Sequence, residues 1–217
     1  MMKKEFDVIL FDLDGTLTDP GEGITNSVAY ALNKYGIINT DRTELYPFIG
    51  PPLYASFMKY YGFTEEEAVK AVDYYREYYK DKGIFENRLY DGIDDVLKRL
   101  TEAGKVLLVA TSKPEVFAKR ILEYFGIEKY FTVIAGATMD GSLIEKSDII
   151  SYALKSSGIS KENALMVGDR SFDILGAKEQ GVTSAGVLWG YGSLEELKSA
   201  GADIIFERVE DIEKILL

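Results

Sequence analysis

The chain has 217 residues, 47% of them hydrophobic, and a formal net charge of −11. That length suits one large domain, or a core domain with a smaller one, and the apolar content is enough for a sizeable core. The acidic balance argues against non-specific nucleic-acid binding and against anionic membranes. The absence of Cys and His removes disulfides, zinc–thiolate sites, thiol nucleophiles and any Ser-His-Asp triad.

Val8-Ile9-Leu10-Phe11 is a continuous apolar run that predicts a buried strand of a parallel sheet. It ends in Asp12, Asp14, Gly15 and Thr16. Asp and Gly are common turn formers, yet buried carboxylates are costly unless paired, hydrogen-bonded or metal-bound. Leu17 to Gly23 reads as a flexible connector, and Gly21, Gly23 and Gly83 offer room to hinge. Ile24, Val28, Ala31, Leu32 and Tyr35 recur at helical spacing before Gly36. The stretch from Thr40 to Tyr61 is mixed and contains the breaker loop Ile49-Gly50-Pro51-Pro52-Leu53. Thr64 and Glu67 make a capping box that opens a helix to about Lys82. No strand is expected between residues 20 and 83, so this region reads as a helical insert.

The pattern then changes. Helices are expected at 93–103, after Pro114 as far as Gly126, at 147–157, at 172–180, from Ser193 to Ala200 and at 209–217. Strands are expected at Val106–Ala110, Phe131–Ala135, Ala164–Val167, Thr183–Leu188 and Asp203–Phe206. Alternating strands and helices mean βαβ units and a mostly parallel, doubly wound α/β sheet. Right-handed crossovers put all strand C-terminal ends on one edge, where ligands bind. Asp12, Thr111 and Asp169 each end a separate strand, so the three should converge there. No apolar run is long enough for a membrane span and no signal peptide precedes the first strand, so a cytoplasmic location is expected.

Asp12-Leu13-Asp14-Gly15-Thr16, strand-end Thr111, Lys146 and Gly168-Asp169 with Asp173 together resemble the motif set of the haloacid dehalogenase-like hydrolase superfamily, along essentially the whole chain. The stretch Gly186-Val187-Leu188-Trp189-Gly190-Tyr191-Gly192, followed by Ala200-Gly201-Ala202-Asp203, resembles the phosphoglycolate phosphatase branch. The resemblance implies a Rossmann-like core domain of residues 1–18 and 84–217 and a small helical cap of residues 19–83. It also implies a Mg²⁺ site using Asp12, Asp169, Asp173 and the backbone carbonyl of Asp14. It gives Lys146 contact with the nucleophile and the phosphate.

The residue chemistry agrees with that picture. A phosphate monoester carries two negative charges that must be shielded while a nucleophile attacks in line and the leaving alkoxide is protonated. Asp12 is the candidate nucleophile, forming an aspartyl-phosphate. Asp14 is the candidate acid and base, or else a turn aspartate. Two strand-end carboxylates suit a hard divalent ion such as Mg²⁺. Asp173, one helical turn beyond Asp169, would sit near the metal or serve as a helix N-terminal acid. The Thr111 hydroxyl and the Ser112 peptide N–H are candidate phosphate contacts, with Ser112 also a candidate helix N-cap. Lys113 is an alternative phosphate contact expected to be exposed.

The expected activity is therefore hydrolysis of a small phosphorylated metabolite, with phosphoglycolate the substrate that the branch implies. A 5′-nucleotidase and a β-phosphoglucomutase-like phosphotransferase are the alternatives. Substrate choice should lie in the insert, with Asn26, Arg42 and the Gly50 loop as leaving-group contacts. Its many tyrosines are expected mainly to pack the insert's helices.

Overall fold

The computed structural model describes residues 5–38 and 41–216. In chain order the elements are β1 (Val8–Phe11), β2 (Thr18–Asp19), α1 (Gly21–Asn33), a 3-10 helix (Arg42–Phe48), α2 (Leu53–Tyr61) and α3 (Glu65–Tyr78). A π-helical turn (Tyr79–Gly83) follows, then β3 (Arg88–Leu89), α4 (Ile93–Glu102), β4 (Val106–Pro114), α5 (Glu115–Tyr124) and β5 (Phe131–Ala137). The remainder is α6 (Lys146–Ser157), β6 (Ala164–Gly168), α7 (Ser171–Gln180), β7 (Thr183–Val187), α8 (Leu194–Ala200), β8 (Ile204–Phe206) and α9 (Glu210–Leu216). Thr40 and Leu217, which bound two expected segments, lie outside the described residues.

The chain divides into two compact units, Met1–Thr18 with Leu89–Leu217, and Asp19–Arg88. The first is built on a six-stranded sheet in the order β5-β4-β1-β6-β7-β8, with every pairing parallel. The chain winds outward from β1 to one edge, returns to β6, and winds to the other edge. This is the doubly wound α/β order, and its switch point lies between β1 and β6. Both faces of the central strands are covered. Val8, Leu10, Leu108 and Met166 pack with Ile149, Ile150 and Ala153 of α6, while Ile9, Phe11, Val109 and Val167 on the alternate face are also fully buried. Two-sided burial explains why these strands read as unbroken apolar runs.

Three strands, β4, β5 and β6, run further than the sequence suggests. β4 extends through Ser112 and Lys113 to Pro114, with a bulge in its pairing to β5 after Thr111. As a result α5 starts at Glu115, and its N-cap is Pro114 with no side-chain cap. The expectation that Ser112 caps this helix, or sits at its N-terminus, is therefore corrected.

The second unit is helical. Thr64 and Glu67 form the expected capping box at α3. Phe48, Phe57 and Phe63 make the aromatic core, with ring centroids 5.0 and 5.8 Å apart for the Phe48–Phe57 and Phe57–Phe63 pairs. Tyr60 and Tyr61 join this cluster, and Tyr75 stacks on Tyr79. The hinge reading of its glycines is corrected. Gly21 and Gly23 lie buried inside α1, and a Cβ at Gly23 would overlap the Gly83 carbonyl. Gly23 and Gly83 permit close backbone packing here. The return segment is held in this unit by Glu86, whose carbonyl accepts from Gly23 N–H at 2.9 Å. Among the described residues no helix is long and apolar enough to cross a membrane.

Candidate active site

The C-terminal ends of β1, β4 and β6 bring together Asp12, Asp14, Thr111, Lys113, Asp169 and Asp173, with Lys146 in the first turn of α6. All seven are buried. The β1 end is a tight turn in which the N–H groups of Thr16, Leu17 and Thr18 donate to the Leu13 carbonyl at 2.9–3.3 Å. Gly15 sits in this turn at φ 83°, and a Cβ there would overlap the Asp169 carboxylate. Glycine is thus required twice, for the backbone conformation and for the approach of β1's loop to that of β6.

Lys146 organises one side. Its Nζ lies 2.9 Å from Asp12 Oδ1, 2.8 Å from Asp173 Oδ1 and 3.0 Å from the Ala110 carbonyl. It donates hydrogen bonds to Asp12 and the Ala110 carbonyl and pairs with Asp173 as an ion. Burial works against the charged form of Lys146, but Asp12 and Asp173 outweigh it and raise its pKa. Gly176 of α7 makes room for it, since a Cβ there would lie 2.9 Å from Lys146 Cγ. Asp173 Oδ2 accepts from Arg170 N–H at 3.0 Å. Asp173 therefore caps α7 with one oxygen, as the helix N-terminal reading expects, and meets Lys146 with the other. Burial pushes its pKa up to about 6, against the pull of Lys146.

Lys113 organises the other side. Its Nζ lies 2.7 Å from Asp14 Oδ2, and its backbone N–H donates to Thr111 Oγ1 at 3.2 Å. The expected exposure of Lys113 is corrected: it is 9% exposed. Thr111 and Lys113 are buried with Ser112 half-buried between them, a pattern that the truncated strand prediction concealed. Asp14 Oδ1 is buried with no hydrogen-bond partner. Burial raises the Asp14 pKa, opposed by Lys113.

Asp169 is 1% exposed. Its Oδ2 accepts from Tyr191 N–H at 2.7 Å, and its Oδ1 is buried without a partner. Burial, then the neighbouring Asp173 and Asp12, push its pKa well above the carboxylate range. Asp12, Asp169 and Asp173 each offer an oxygen within 4.8 Å of the others. The Asp14 carboxylate faces Lys113 instead and is not part of this triad. Four buried carboxylates stand against two buried ammonium groups. The imbalance of two charges and the orphaned Asp169 oxygen fit a hard divalent cation bound by oxygen.

The residues expected to contact a leaving group all lie in the helical unit. Asn26 donates to Glu86 Oε2 at 2.8 Å, and Tyr78 donates to Glu86 Oε1 at the same distance. Arg42 is exposed, and Gly50 turns the chain at φ 102°. Tyr78 is one of the insert tyrosines expected to pack its helices, whereas the sequence offers no spacing that marks Glu86.

Residues 9–187 match the family described as haloacid dehalogenase-like hydrolase. A 5′-nucleotidase of Pseudomonas aeruginosa is 49% identical over 191 residues, covering 88% of this chain and 86% of that protein. Tyrosine-protein kinase PtkA of Mycobacterium tuberculosis is 41% identical over 199 residues, covering 91% of this chain and 67% of the kinase. The crystal structure of a predicted phosphatase from Clostridium acetobutylicum superposes with TM-score 0.94 at 52% identity, covering 98% of this chain and 99% of that one.

Proposed function

The chain belongs to the haloacid dehalogenase-like hydrolase family, and from that premise we propose a Mg²⁺-dependent phosphomonoesterase that works through an aspartyl-phosphate on Asp12. The observation that carries this reading is the Asp12 carboxylate at the sheet's switch point. One of its oxygens is held by Lys146 at 2.9 Å, and Asp169 and Asp173 lie beside it.

Lys146 fixes Oδ1 and leaves Oδ2 to attack the phosphorus. A new Oδ2–P bond forms and the ester P–O bond breaks. Asp14, whose burial favours the protonated form, gives its proton to the leaving oxygen. It then takes a proton from water as that water attacks the acyl phosphate, which returns Asp12 and releases inorganic phosphate. Thr111, Ser112 and Lys146 are assigned to the phosphate oxygens. Asp12 and Asp169 would hold Mg²⁺, with the Asp14 carbonyl beside them and Asp173 supporting. When bound, the ion supplies charge neutralisation for the carboxylates and the phosphoryl group.

Substrate choice is assigned to a cap domain formed by the helical unit. The 49% identical nucleotidase supports a nucleoside 5′-monophosphate. The Trp189-Gly190-Tyr191-Gly192 stretch supports phosphoglycolate. Transfer to a hydroxyl acceptor other than water is the second reading, favoured by the PtkA relative. A metabolite panel read as kcat/KM ratios, with free phosphate and phosphorylated acceptor both measured, tests all three. Phosphate release matching substrate loss supports the hydrolase. Acceptor phosphorylation without phosphate release contradicts it.

A further inference from the structure

The segment Leu188–Gly192, between β7 and α8, takes no part in the chemistry above, yet it is packed tightly against the acid cluster. Trp189 Nε1 donates to the Thr16 carbonyl at 3.0 Å, tying the segment to the turn that carries Asp14. Two residues later, Tyr191 N–H donates to Asp169 Oδ2 at 2.7 Å. The glycines between and after them permit this contact. A Cβ at Gly190 would overlap the Gly15 carbonyl and Asp169 Cβ, and one at Gly192 would overlap the Asp169 carbonyl.

Both ends of the segment are anchored. Leu188 N–H donates to the Phe206 carbonyl at 3.0 Å. On the far side, Ser193 caps α8 through the Glu196 N–H. Glu196 reaches back to accept from Ser171 N–H at 2.8 Å and Arg170 Nε at 3.0 Å. The Asp169 carboxylate and the two residues that follow it are thus held from the facing segment.

We infer that Leu188–Gly192 is a positioning loop for the cation. Trp189 suspends it from Thr16, and the Tyr191 N–H occupies Asp169 Oδ2, so that the carboxylate presents Oδ1 to the metal in one orientation. The inference rests on the Mg²⁺ reading above and adds residues to it that touch neither substrate nor metal. Outer hydrogen bonds of this kind orient metal-binding carboxylates, and their loss weakens metal affinity about 10–100-fold.

The test is direct binding of Mn²⁺, an oxygen-seeking ion of similar preference, to substrate-free protein, read from the electron paramagnetic resonance signal of free Mn²⁺. Native protein, Trp189→Phe, Gly190→Ala and Asp169→Asn are compared, with Tm in EDTA measured for each. Trp189→Phe keeps an aromatic side chain at this position and removes the indole N–H donor. The expected result is Mn²⁺ binding about tenfold weaker than native for Trp189→Phe, weaker again for Gly190→Ala, and lost for Asp169→Asn. A purely structural role would lower Tm and leave the affinity of the folded protein unchanged. Affinity of Trp189→Phe equal to native overturns the positioning role and leaves the metal reading standing. Native protein that binds no Mn²⁺ overturns both.

Discussion

Lys113 Nζ lies 2.7 Å from Asp14 Oδ2, and both residues are buried at the same sheet edge. Burial raises the proton affinity of Asp14, and Lys113 is the largest influence opposing that rise. Lys113→Met removes the opposing charge, so Asp14 should hold its proton to higher pH. In the proposed mechanism Asp14 is first the acid and then the base, so both limbs of the pH–rate profile should move toward alkaline pH. The profile is measured on an alkyl phosphate, whose poor leaving group needs the acid. A profile that stays in place contradicts the pairing of roles.

Lys146 is the only bridge between Asp12 and Asp173 among the described contacts. Removing one partner of a buried ion pair leaves uncompensated charge and costs about 3–5 kcal/mol. Lys146→Met should therefore lower the urea unfolding free energy by about that amount, as well as abolishing turnover. A loss below about 1 kcal/mol, the range of exposed pairs, would contradict the buried arrangement.

Asp169 has a folded-state pKa raised by burial. Its contribution to stability is therefore fully present below the unfolded carboxylate range, about pH 4, and is lost as pH climbs through the folded value. In EDTA, the native protein should lose stability over that rise, and Asp169→Asn should lose less and melt higher than native near neutral pH. With Mg²⁺ the order should reverse. A ligand at about 100 times its Kd adds about 2.7 kcal/mol, or roughly 5–10 °C for a chain of this size. Equal melting of the two proteins in EDTA contradicts the strained carboxylate.

Arg42 is exposed in the helical unit, whereas Asn26 is already engaged by Glu86. If a charged leaving group is read there, Arg42→Ala should raise KM for the preferred substrate about tenfold, as expected for loss of a charge-assisted hydrogen bond. Turnover of p-nitrophenyl phosphate, which lacks that group, should change little. Equal effects on both substrates would remove Arg42 from recognition.

The apolar runs and glycine punctuation made the sheet legible, because parallel strands buried on two faces leave an unambiguous pattern. Asp12, Thr111 and Asp169 were legible because each follows such a run, and the sheet order places β1 and β6 at the switch point. Lys113 was not, because a lysine beside proline reads as surface until β4 is seen to continue through it. The stapling of Glu86 to Asn26 and Tyr78 joins residues up to 60 positions apart with no periodic signal. The role of Gly23 was misread for a related reason: glycine in sequence does not say whether it supplies freedom or closeness, and here a carbonyl lies where its Cβ would be.

The central claim is a covalent phosphoryl group on Asp12. Acid quenching during steady turnover, followed by proteolysis and mass spectrometry, measures it directly. The account predicts one acid-stable, hydroxylamine-labile phosphoryl group on the peptide carrying Asp12, present in native protein and absent from Asp12→Asn. Full turnover with no phosphorylated peptide at any quench time, or a phosphoryl group on another residue, would contradict it.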